Sequence, residues 1–472
     1  MMFLHGIAAR IVSRRQSGRK GIVRAALEGA FAEDGCPVCQ LLLHQEERWL
    51  TVLLVESVND LSIRRHILTS WGFCHRHAWG MAARTDLGGP LATALIYHSL
   101  CSQLLLHCGV IQGPQSSPNS RQAKRPERLD QVLPGRPCPA CAARARVEHN
   151  YTNSFGRYCA QDTFADRYQS SQGLCLEHLR QVLEVSRPSI REFLLTDQIA
   201  RLRGAAEPLP PQALAAYWRG PAHPTIRRRL NLLVGPLPFF PHSRSYEQFS
   251  DAASLWARPP ESNGSDLCSL CTVERRAEQQ QLTSLLQRQT TPNALPPLCA
   301  EHAWQLVAVA RNQHRLDALA TWSARLVATA AAKLEAFLGR EQATTRGKFL
   351  LNWRPAARFP AAVGNWECQV CAHKAAAGQR WLIEVLRAAI SGPNAARMPL
   401  PCLCLRHAGM ALKVASPTLA IALRQQQLER LLQLQQELGE YVRKVHWEYR
   451  HEPWGPERDA WQRAVSFFVG DE

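Results

Sequence analysis

Four times along 472 residues, a Cys-x-x-Cys knuckle is answered by a Cys-x-x-His. Cys36 and Cys39 precede Cys74 and His77, Cys138 and Cys141 precede Cys175 and His178, Cys268 and Cys271 precede Cys299 and His302, and Cys368 and Cys371 precede Cys404 and His407. From the second cysteine of each knuckle to the next cysteine of its partner the separations are 35, 34, 28 and 33 residues. Three thiols and one imidazole form the ligand set of a closed tetrahedral zinc site, so the sequence predicts up to four structural zinc ions, each held by a knuckle and the Cys-x-x-His that follows it. All four positions of such a site are filled by protein, which leaves none for water or substrate.

The spacing also predicts where these ligands sit. Pro37 and Pro139 suit the first turn of a helix, and two ligands three apart in a first turn project toward one point. The unpaired N–H groups and positive dipole end found there favour thiolate over thiol. One zinc would pin two helix N-termini together and substitute for core that a small helical unit lacks. The expected architecture is all-α: four tandem zinc-pinned helical modules at 22–111, 138–204, 266–341 and 366–472. A basic arm precedes them at 1–21, with a linker at 112–137, a Pro-rich connection at 205–265 and a linker at 342–365. Helices are predicted over Ile22 to Glu33, Pro37 to Val58, Leu61 to Ser70, Leu91 to Cys108 and Pro139 to Ala160, with long closing helices near Leu316 to Gly339 and Pro417 to Arg450.

Sixteen cysteines would permit a disulfide framework, but twelve recur with a histidine at a fixed offset, which a disulfide does not need. Cys101, Cys108, Cys159 and Cys402 fall outside the repeat and read as small buried hydrophobes, with Cys402 a stand-in candidate for Cys404. The segment Leu91 to Ile111 is interrupted by His98, Ser99, Ser102, Gln103 and His107, so it reads as a buried helix and no membrane span is expected. The net charge of +17 invites a nucleic-acid reading, yet only seven of 56 basic residues are lysine, the pattern of a GC-rich, Arg- and Ala-rich composition. The series Tyr151, Phe155, Tyr158, Phe164 and Tyr168 has helical spacing and reads as core. Arg227-Arg228-Arg229 reads as a solvated face. In the last helix Ile421, Leu428, Leu431, Leu438 and Val442 define an apolar face.

The stretch from Cys36-Pro37-Val38-Cys39 through Glu56-Ser57-Val58-Asn59-Asp60 to Gly72-Phe73-Cys74-His75-Arg76-His77-Ala78-Trp79 resembles an uncharacterised bacterial family of helical, cysteine-rich proteins, a domain of unknown function. Gly455-Pro456-Glu457, Trp461-Gln462-Arg463-Ala464 and the run to Gly470 resemble its C-terminal signature. The resemblance implies a bacterial cytoplasmic protein and brings no activity with it.

Three non-catalytic readings stand at this level. The first is a structural-zinc scaffold or adaptor for protein partners. A zinc-supported nucleic-acid binder is an alternative that rests on net charge and the basic arm, and a thiolate redox sensor is another that requires one accessible site. An iron–sulfur cluster remains open for the same ligands. No enzyme is expected: His75 and His373 stand beside ligand cysteines, no paired-carboxylate or serine–histidine constellation stands out, and a cysteine in a filled metal shell is a poor nucleophile.

Overall fold

A computed structural model describes residues 21–111, 137–214, 223–236, 267–287, 298–346, 367–391 and 400–471. The basic arm and most of both predicted linkers lie outside them. Among the described residues every regular element is a helix. In the first half of the chain those longer than one turn are α1 (21–30), α2 (Pro37–Val52, continued by a π turn Leu53–Ser57), α3 (Leu61–Thr69), α4 (His75–Ala82), α5 (Gly89–His107), α6 (Pro139–Tyr158), α7 (Asp162–Gln169), α8 (Leu176–Val185), α9 (Pro188–Ala205) and α10 (Pro224–Val234). The second half supplies α11 (Ser269–Gln287), α12 (Ala300–Asn312), α13 (Leu316–Arg346), α14 (Gln369–Ser391), α15 (Leu405–Val414), α16 (Pro417–Val445) and α17 (Ala460–Val469).

Local chemistry explains the boundaries. Asp60 ends the long first helix and starts α3, accepting from the Ser62 and Ile63 amides at 2.9 Å each. Gly72 and Gly173 take φ of +95° and +89° just before the second half-sites, a left-handed conformation that lets the chain turn sharply into Cys74 and Cys175. Each Cys-x-x-Cys and Cys-x-x-His opens a helix, with its first cysteine immediately ahead of the first helical residue.

The second half of the chain repeats the first. Each of α11 to α17 has its counterpart in the same order among α2 to α10, only α3 and α7 lacking one among the described residues, and Gly220-Pro221 and Val234-Gly235 recur 235 residues later as Gly455-Pro456 and Val469-Gly470. The repeats do not, however, fold as successive modules. The chain divides into two compact units: Met1–Gln45 with Arg144–Pro238 and Gln280–Ala372, and Glu46–Ala143 with Phe239–Gln279 and His373–Glu472. Four of the five divisions fall inside α2, α6, α11 and α14, a few residues past the second cysteine of each knuckle, and the fifth lies between the two halves of the sequence. Both halves of the sequence therefore contribute to each unit.

In the first unit α9 and α10 pack on α13. Phe31, Phe155, Phe164 and Tyr168 interlock edge to face beneath them, with centroids 5.1 to 6.2 Å apart. The aromatic series is thus core, as its helical spacing predicts. Arg229 corrects the reading of the arginine run: it is fully buried, and its guanidinium donates to the Ala205 and Ala320 carbonyls and to Ser323 Oγ. It satisfies the Ala205 carbonyl at the end of α9, so its charge is taken up inside the fold rather than by solvent. Its neighbour Arg227 pairs with Asp34.

The second unit repeats the plan, with α5 packed on α16 and α17. Tyr97 meets Phe468 at 5.2 Å. The buried stripe of α16 runs Leu419, Leu423, Gln427, Leu431, Leu434 and Leu438, whereas Ile421 is 63% exposed and lies off it. No helix among the described residues is long and apolar enough to cross a membrane.

Candidate metal centres

All sixteen predicted ligands gather into four clusters, but in a pairing the spacing did not suggest. Cys36 and Cys39 join Cys175 and His178, while Cys74 and His77 join Cys138 and Cys141. Cys268 and Cys271 join Cys404 and His407, while Cys299 and His302 join Cys368 and Cys371. Within each half the centres are nested, an outer one enclosing an inner one. Every centre still combines one Cys-x-x-Cys with one Cys-x-x-His and still joins two helix N-termini. What is corrected is which N-termini, because each knuckle takes its partner from the other pair of its own half.

The geometry fits a tetrahedral ion. In each cluster histidine Nδ1 lies 3.1 to 3.6 Å from three sulfurs. The sulfur pairs Cys39–Cys175, Cys74–Cys141, Cys271–Cys404 and Cys299–Cys371 are 3.6 to 4.0 Å apart. Zinc with Zn–S of about 2.3 Å and Zn–N of about 2.0 Å requires roughly 3.5 Å between sulfur and nitrogen and about 3.8 Å between sulfurs. The four histidines are buried, and the caps are nearly superimposable: Cys74, Cys175, Cys299 and Cys404 have φ of −68 to −72° and ψ of 162 to 168°. In none of these four does the thiol cap its own helix, so each sulfur is free to face its cluster.

The electrostatics favour one anionic sulfur per cluster: hydrogen bonds from neighbouring cysteines hold Cys138, Cys268 and Cys368 below the usual thiol range, and Cys36 too against its burial, while Cys39, Cys141, Cys404 and Cys371 are pushed up. Burial opposes charge on His77, yet the Cys138 and Cys74 sulfurs and the Glu46 carboxylate raise its pKa to about 11. His407 is likewise raised to about 11 against its burial, by Cys268, Cys271 and Glu274. Outside the clusters burial dominates. It pushes the Cys159 thiol up to about 12 and Cys101 higher still, so both stay protonated fillers. Cys402 gives its carbonyl to the Ser269 amide, while Cys404 occupies the cluster.

Sequence reasoning missed the groups that orient the histidines. His178 Nε2 lies 3.0 Å from Glu148, and His77 and His407 place Nε2 3.4 Å from Glu46 and Glu274. With Nδ1 turned to the sulfurs, a carboxylate at Nε2 fixes the tautomer and strengthens the imidazole as a donor. Glu148 remains ionised: although burial works against the carboxylate, its hydrogen bond to His178 holds its pKa below the usual range. Glu46 and Glu148 both stand ten residues beyond the first cysteine of a knuckle, a signal available in the repeat. At that position α14 has Gly378, and a Cβ there would stand 2.9 Å from the Glu274 carboxylate. The glycine makes room for Glu274 to reach His407 from α11. Changing Glu274 to Gln is expected to weaken one metal of the set by about 10- to 100-fold. Gly378→Ala should do the same by displacing the carboxylate, and competition with a chromogenic chelator would measure both.

Two glycines take a role that the sequence reading did not assign. Gly235 and Gly470 end α10 and α17 with φ of +85° and +94°. A Cβ on either would lie 2.9 Å from the Cys39 or Cys271 sulfur, so only glycine lets the backbone roof the outer centres. Each roof is held from the inner centre of the same unit: Trp304 Nε1 donates to the Gly235 carbonyl and Trp79 Nε1 to that of Gly470, both at 3.1 Å. The shared sequence of His77-Ala78-Trp79 and His302-Ala303-Trp304 serves this contact. His75 takes no part in a cluster, and its Nε2 lies 3.0 Å from the Asp471 carbonyl.

No solved structure matches the chain. An uncharacterized 23.9 kDa protein encoded in the xynA 3' region of Caldicellulosiruptor sp. (strain Rt8B.4) is 28% identical over 155 residues, a match covering 33% of this chain and 68% of that one. Its mass is a little under half of the 52.9 kDa here. The resemblance read from the motifs is to an uncharacterised domain, and residues 20–200, which span both centres of the first half, match the family of unknown function DUF6062.

Proposed function

We propose that this is a non-catalytic zinc protein whose four centres are structural and whose helical units serve as a scaffold or adaptor for protein partners. The observation that carries the reading is the closure of every centre: four donors from two helix N-termini in each of four clusters. Such a set leaves no coordination position for a reacting water or substrate. Oriented histidines, and glycines set against the sulfurs of the outer centres, support a role in holding helices in place. Elemental mass spectrometry on protein purified without affinity metals is expected to find about four zinc per chain, with an absorbance ratio free of nucleic acid and with partner proteins recovered by crosslinking. Iron in place of zinc would overturn the metal assignment. Nucleic acid that salt removes would overturn the adaptor reading in favour of phosphate binding.

A further inference from the structure

We propose that the centre of Cys299, His302, Cys368 and Cys371 is an oxidant-responsive site, at which a peroxide joins Cys371 to Cys299 and dismantles the ligand set. The proposal rests on the reading that the clusters hold zinc. Of the sixteen cysteines Cys371 is the one classed as exposed, while its counterparts Cys39, Cys141 and Cys271 are half-buried. The roofs described above cover Cys39 and Cys271, and among the described glycines none approaches Cys371. The accessible edge of the centre contains two sulfurs rather than one: Cys299 is also part-exposed, and its sulfur is 3.9 Å from that of Cys371. Cys368 and His302 are buried behind them, 6% and 3% exposed.

That division assigns the chemistry. A coordinating thiol is deprotonated, so the Cys371 sulfur is a nucleophile at the surface. It attacks one oxygen of hydrogen peroxide, the O–O bond breaks, and hydroxide leaves a sulfenic acid. The Cys299 thiolate then attacks that sulfur, an S–S bond replaces the S–O bond, and a second hydroxide departs. The two sulfurs lose two electrons and the peroxide gains them, yielding water once the hydroxides are protonated. Two of four donors are withdrawn, and Cys368 with His302 cannot hold a divalent cation in their place. The consequence spreads within the unit, because Trp304 lies two residues from His302 and holds Gly235 over Cys39.

The test uses the full chain, first shown by elemental analysis to carry four zinc, exposed to limiting hydrogen peroxide with a zinc-indicating dye and peptide mapping of the cysteines. One equivalent of four should be released ahead of the others, with a Cys299–Cys371 disulfide as the first product, and dithiothreitol with zinc should restore four. Cys371→His keeps four donors but cannot form the disulfide; it should retain four zinc and lose the early release. Simultaneous release of all four, or first oxidation at another cluster, would overturn the proposal. A chain without zinc before peroxide is added would instead overturn the metal reading on which it stands.

Discussion

Replacing Cys39 and Cys175 together by serine is expected to remove one metal per chain, whereas replacing Cys39 and Cys74 together should remove two. The first pair belongs to one cluster and the second pair to two. Serine is a poor ligand for zinc, so each single variant should retain three of four equivalents, and the Cys39/Cys175 variant should lose no more than either alone. Pairing by sequence neighbourhood predicts the reverse order, so elemental analysis of these variants decides between the two arrangements. The structural effect follows the same partition. Apparent free energies of structural zinc binding are on the order of 10 kcal/mol or more, comparable with the whole stability of a domain. Losing the Cys36, Cys39, Cys175 and His178 centre frees the N-termini of α2 and α8. Circular dichroism should therefore show reduced helicity and an earlier melting transition for Cys39→Ser, and unchanged melting would refute the structural role.

The ligands were legible in the sequence and their pairing was not, for a physical reason. The near-constant separation of each knuckle from the next half-site suggested closure over about 30 residues. Helix lengths argue otherwise. From Pro37 to Ser57 the chain rises by roughly 30 Å, and the nine residues of α3 return it by only about 14 Å. A long rod and a short one leave about 16 Å for the few connecting residues to span nearly extended before Cys74 could return beside Cys39. The 20-residue α6 and eight-residue α7 leave a similar gap between Cys141 and Cys175. Nesting resolves this at small entropic cost, since closure entropy grows only logarithmically with loop length. The buried helix α10 was hidden by its surroundings: prolines on both sides made 205–265 read as a connection, although Pro224 merely opens the helix and Ile226, Leu230 and Leu233 face the core. Arg229 and the carboxylates beside the histidines stayed invisible because residue type alone does not distinguish a solvated charge from one satisfied inside the fold.

Cutting the chain between its repeats, into residues 1–238 and 239–472, is expected to yield two fragments that copurify when made together and that do not run as folded monomers when made apart. Each fragment keeps all eight ligands of its two centres, so metal content alone would not foretell this. The reason lies in the cores. Leu194, Leu195 and Leu202 of α9 are buried in one cluster with Val327, Leu334 and Phe337 of α13, which belongs to the other fragment. Arg191 pairs with Glu341, and Arg229 donates to Ala320 across the same divide. In the other unit Tyr97 and Leu100 of α5 share a core with Leu431, Leu438 and Phe468. Exposing a buried aliphatic or aromatic side chain costs about 1.5–3 kcal/mol. A dozen such residues exceed the roughly 5–15 kcal/mol that separates a folded domain from its unfolded chain. Zinc can pin helix ends but cannot cover these faces. A tagged 1–238 fragment should therefore draw down 239–472 in equal amounts. Either fragment alone should appear as an associated species or as aggregate in size exclusion with light scattering. A stable, fully helical monomer of either would show that the repeats fold independently and that sharing between the units is dispensable.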